Sequence, residues 1–185
     1  MRAIVLCVIF SVIGAAQVPQ SSIESSLLAN AIRQPNAHIY SSSHIATLQS
    51  EGSRAVFTGL IVADPAQQDR KIRGIRIDFS DAGWNRMAYV DEAKLEPLKD
   101  VVDRLSADLE RSLPLLASRN REGFLGSCEL RDHPEAYPVH VDYCYSGWCS
   151  PGLRITSPTM ILFTNRKPSD LSAILGSAIE YLKPH

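Results

Sequence analysis

The sequence predicts an α+β fold. The expected architecture is an antiparallel sheet of about six to eight strands packed against two amphipathic helices. The sheet is either single or made of two fused ββα-type half-sheets related by a pseudo-two-fold. Three observations carry this expectation. Short runs rich in β-branched and aromatic residues alternate in polarity and are separated by turn residues. Two longer segments space their leucines, isoleucines and valines by three and four. The composition, 45% hydrophobic and 21% charged, is that of a globular chain.

Residues 1–16 read as an address. Met1-Arg2 is a short basic start, residues 3–13 (AIVLCVIFSVI) are apolar, and Gly14-Ala15-Ala16 offers small residues before Gln17. The apolar run is shorter than the roughly 20 residues a spanning helix needs. It fits a secretory signal peptide, which places the protein outside the cell or in the periplasm. Residues 17–185 then form one α+β domain, with candidate repeat halves at about 54–113 and 124–183. No integral membrane segment is expected after cleavage.

The elements follow in order. Leu27, Leu28, Ala31 and Ile32 suggest a short helix over 22–33, ended by Pro35-Asn36. Residues 38–50 are ambiguous, because Ser41-Ser42-Ser43 breaks any apolar period. A turn at Glu51-Gly52-Ser53 leads to a strand at 55–63, then a loop begins at Asp64-Pro65. In the strand at 72–80, Ile75, Ile77 and Phe79 face one side and Arg76, Asp78 and Ser80 the other. The chain turns at 81–83 and returns at 86–90. Leu95, Leu98, Val101, Val102, Leu105 and Leu109 define a helix beginning near 94–96 and stopping at Leu113 before Pro114. Strands are expected at 124–130, 139–145, 153–155 and 160–164. Pro168 suits the first position of a last helix carrying Leu171, Ile174, Leu175, Ala178, Ile179 and Leu182.

An internal repeat is suggested by a gap-free alignment of Ile75 on Val139 through Trp84 on Trp148, which matches Asp78 with Asp142 and both Gly-Trp pairs. A rival alignment sets GIRI at 74–77 on GLRI at 152–155. The first is favoured here for its shared Asp and Gly-Trp.

Setting aside Cys7, three cysteines remain, and an oxidising compartment makes a disulfide the default. Cys144 and Cys149 would face each other if residues 145–148 form a four-residue hairpin loop. Cys128 bridged to either one is the alternative. A zinc site is disfavoured, since there is no Cys-x-x-Cys pair and His133 or His140 would have to join all three thiols. No metal or cofactor is expected.

Charge excludes one partner class. With 19 Lys+Arg against 20 Asp+Glu, nothing marks a nucleic-acid binder. Arg70, Lys71, Arg73 and Arg76 form only a short basic stripe. His140, Asp142 and Cys144 share a strand face, but neighbours on one face stand roughly 6.6 Å apart, which keeps the imidazole from the thiol. No catalytic residue is assigned. Candidate ligand-binding residues are Trp84 and Trp148, which follow turn glycines and could stack on sugar rings or grip a peptide. Asp78 and Asp142 join them as carboxylates able to act as an acid and base pair, to hold calcium, or to bond the following turn. His38 and His44 flank Tyr40 and the serines, with no nucleophile elbow to support a serine hydrolase. The function expected is a small exported non-enzymatic module that binds a protein, peptide or glycan. The alternative is an exported hydrolase whose site is not apparent in the sequence.

Overall fold

A computed structural model describes residues 26–67, 69–81, 84–117, 123–130, 139–146, 149–156, 160–164 and 166–184. The fold is α+β. Helix α1 (Leu27–Ile32) precedes strands β1 (Ile39–Ser50), β2 (Ser53–Ala63), β3 (Lys71–Asp81) and β4 (Trp84–Asp91), then helix α2 (Glu92–Ala117). Strands β5 (Gly123–Leu130), β6 (Val139–Ser146), β7 (Cys149–Thr156) and β8 (Met160–Thr164) follow, and helix α3 (Pro168–Leu182) ends the chain. Each set of four strands is an antiparallel meander, ordered β1-β2-β3-β4 and β5-β6-β7-β8. The edges of the two sheets approach each other, β4 beside β5 and β1 beside β8.

Alternation along the strands builds the core. Ala55 and Phe57 of β2, Ile75, Ile77 and Phe79 of β3, and Ala88 and Val90 of β4 are buried in one cluster. Leu95 and Val102 of α2 join them, as do Leu171, Leu175, Ala178 and Leu182 of α3. Val141, Leu153 and Phe163 of the second sheet complete that cluster. Each of the leucine, isoleucine, valine and phenylalanine side chains among them contributes about 1.5–3 kcal/mol when fully buried. Helix α3 packs back on the N-terminal part of the fold, touching β1, β2 and β3 as well as α2. Gly59 makes the close approach possible, because a Cβ there would lie 2.5 Å from the ring of Tyr181. That ring is anchored where its hydroxyl meets the Ser41 hydroxyl at 2.6 Å.

The first sheet also covers its other face. Leu60, Val62 and Tyr89 there pack against Leu28, Ala29 and Ala31 of α1. Six residues are too few for a self-supporting helix, so α1 depends on docking and on its cap. The Asp91 carboxylate accepts from Ser26 Oγ at 2.7 Å and from the backbone N–H groups of Leu27 and Leu28 at 3.0 Å. Ser26 Oγ in turn accepts from Ala29 N. Asp91, the last residue of β4, thus secures the short helix.

Several expectations need correction. Residues 39–50 form a twelve-residue strand; its serines sit on an edge strand whose one buried residue is Leu48, so no apolar alternation was needed. Helix α2 starts at Glu92 and runs through Pro97 and Pro114 to Ala117. A proline inside a helix costs about 3 kcal/mol, and the burial of Leu95, Val102, Leu105 and Leu109 on one face offsets it. The favoured repeat alignment sets β3, the third strand of its sheet, on β6, the second of its own. The rival alignment sets third strand on third, β3 on β7.

The two long helices also share a polar junction. Asp103 of α2 accepts from Lys99 Nζ at 2.6 Å and from the Ser172 hydroxyl of α3. Hydrogen bonding from Lys99, then from Ser172, holds the Asp103 carboxyl below its ordinary range. A depressed folded-state value means that the junction adds stability above the unfolded value near pH 3.9. That stability is lost as pH falls through the folded value. Asp103 keeps 44% side-chain exposure, so the effect is modest. Asp103→Asn should show a constant deficit against the parent protein from pH 7 to 5 in urea melts, shrinking below pH 4. A deficit unchanged down to pH 2 would remove the ionic contribution.

Candidate functional site

A concavity among the described residues lies at one end of the first sheet. The register that pairs β1 with β2 brings the chain after α1 beside the end of β2, where Ala63 N donates to the His38 carbonyl at 2.9 Å. Residues 34–40 thus form one wall and Ala63, Asp64 and Pro65 the other, around a groove of about 490 Å³. That size lies within the 300–1,000 Å³ range of small-molecule sites. Pro35 and Pro65 stiffen opposite rims.

Tyr40 is aimed by a β-bulge. Ile39 pairs with Val62 and Ser41 with Ile61, so Tyr40 is the extra residue on β1, a device that redirects a side chain. Its ring meets the His38 ring edge-on at 4.7 Å between centroids and 88°. Lys71 Nζ lies 5.2 Å from the Tyr40 centroid, within cation–π range. Tyr40 is 48% exposed and its neighbour Ile39 49%. Opposite, Asp64 is fixed by its own loop: Oδ1 accepts from Ala66 N at 2.8 Å and Oδ2 faces Arg70 Nε at 3.9 Å. Gln34 and Asn36 add primary amides to the wall.

The residues singled out in the sequence lie elsewhere. Asp78 is partly exposed and bonds Arg76 Nε of its own strand at 2.9 Å. Asp142 is buried, 3% exposed, and not on an open polar face. It stands opposite Arg154 in the β6–β7 register and accepts from Arg154 Nε at 2.7 Å and from its terminal nitrogen at 3.2 Å. The two carboxylates therefore sit in different sheets, each with its own arginine, and do not form a pair. Trp84 opens β4 opposite Asp81; its side chain and the whole of Trp148 lie outside the described residues. The β6–β7 hairpin is tighter than the four-residue loop expected: Ser146 pairs with Cys149, and Cys144 with Gly152. The side chains of Cys128, Cys144, Cys149 and His140 lie outside the described residues.

No protein-family model, curated protein or solved structure matches this chain.

The groove leaves little local trace in the sequence, because residues 38–50 carry no apolar period. Had that strand been read, the hairpin turning at Glu51-Gly52 would have carried Pro35-Asn36 and Asp64-Pro65, both recognised as chain breaks, to the same sheet end. Among the described residues no helix is long and apolar enough to cross a membrane, and no three His, Cys, Asp or Glu side chains gather as a metal site.

Proposed function

We propose that the protein is exported and acts as a non-enzymatic binding module, with the groove between residues 34–40 and 63–65 as its ligand site. One observation carries this reading: a ligand-sized concavity that joins a half-exposed, bulge-aimed tyrosine to an imidazole, two amides and a fixed carboxylate. Such a site supplies apolar area and directional hydrogen bonds. The partner classes that suit it are a protein, a peptide or a glycan.

Hydrogen exchange on the secreted protein tests the reading. Glycan and peptide fractions of the native medium or envelope are added separately. Amides of residues 34–40 and 63–70 should gain protection with one fraction, while those of β3 stay unchanged. The secreted chain should also begin at Gln17 by N-terminal sequencing. Unaltered exchange at the groove with every fraction would remove it as a binding site.

A further inference from the structure

We infer that β1 pairs antiparallel with β1 of a second copy of this chain, joining two first sheets across a two-fold. This surface is separate from the groove and from the reading built on it. The main chain of β1 has a free side. Ala63 N donates to the His38 carbonyl, so the odd-numbered residues of β2 turn their peptide groups toward β1. They face Ser41, Ser43, Ala46 and Leu48, which therefore use their N–H and C=O groups inside the sheet. The peptide groups of Ser42, His44, Thr47 and Gln49 point the other way, out of the edge. Among the described residues no strand takes them up, because β1 ends its ladder. Strand β8 approaches β1 from the core side, where Phe163 shares a cluster with Leu48.

Two features of that edge select a second β1 as its occupant. The free residues are spaced by two, three and two, because the bulge between His44 and Ala46 inserts Ile45. This spacing reads the same in both directions. An antiparallel copy therefore sets Ser42 opposite Gln49 and His44 opposite Thr47, and the reverse, with every free residue matched. A regular strand offers its groups at every second residue and matches only one side of the bulge. The bulge that guards the edge against a regular strand thus admits a copy of itself. The second feature is charge. Strand β1 (IYSSSHIATLQS) has no Asp, Glu, Lys, Arg or Pro, the residues that commonly keep sheet edges apart. Two copies meet without like-charge repulsion. Ser42, His44 and Gln49 are exposed and polar, on the sheet face opposite Leu48. Closure by a two-fold leaves neither copy of β1 free to extend into a fibre.

Sedimentation of the purified protein over a wide concentration range tests the inference. It should show a monomer–dimer equilibrium. In hydrogen exchange, the amides of Ser42, His44, Thr47 and Gln49 should slow as concentration rises, while those of Ser41, Ser43 and Leu48 stay unchanged. Charge at two exposed positions tests the register. S42K/Q49K sets lysine opposite lysine twice and should raise the dissociation constant about tenfold or more. S42K/Q49E sets lysine opposite glutamate and should return it to within about threefold of the parent value. Both variants change only exposed side chains, and the exchange measurement needs neither. A protein that stays monomeric at every concentration overturns the inference. So does a dimer indifferent to S42K/Q49K, or one that S42K/Q49E fails to restore. Edge amides that slow only when a pool of random eight-residue peptides is added to the monomer would overturn it too, and give the edge to a peptide.

Discussion

Asp142→Ala should lower the stability of the protein by about 3 kcal/mol, the low end of the cost of breaking a buried ion pair. Asp142 is 3% exposed, and its carboxylate takes both bonds of the Arg154 fork. Removing it takes both of these bonds from a guanidinium that lies within the sheet. The low end applies because the Arg154 side chain keeps 21% exposure and can recover some hydration. Urea unfolding should show a lower midpoint with an unchanged slope. Replacing both partners by leucine should restore most of the loss, since an apolar pair carries no stranded charge. A single-variant loss below about 1 kcal/mol, the usual worth of an exposed pair, would contradict the burial of this one.

Leu175→Ala should cost about 3 kcal/mol, within the range for a leucine deleted from a closed core. Leu175 is fully buried on α3 and shares a cluster with Phe57, Ile75 and Ile77 of the first sheet and Leu153 and Phe163 of the second. The neighbouring substitution Ser177→Ala lies on the exposed side of the same helix and should change stability by no more than about 0.5 kcal/mol. Equal losses from the two would mean that α3 does not carry the core.

The elements that showed in the sequence are those with a buried stripe or an alternating face. Strand β3 places Ile75, Ile77 and Phe79 in the core, and α3 begins at Pro168, where a missing N–H costs nothing. Elsewhere tertiary contacts override local preference. Strand β1 is held by pairing to β2 and by Tyr181 bonding Ser41, neither of which leaves a periodic trace. Pro114 looked like a stop, yet α2 continues to Ala117. The repeat alignment followed Asp and Gly-Trp, although Asp78 and Asp142 belong to strands of different rank in their sheets. The groove escaped for a related reason. Its residues are polar or small, lie in two separate loops, and meet only through the β1–β2 register.

The packing of α3 on the first sheet also has a consequence in time. Synthesis delivers the N-terminal half first, but the face of β2 and β3 that holds Phe57, Ile75 and Ile77 stays uncovered by Leu175 and Leu182 until the last helix arrives. A chain halted before Pro168 carries an exposed apolar sheet and should be degraded or aggregate.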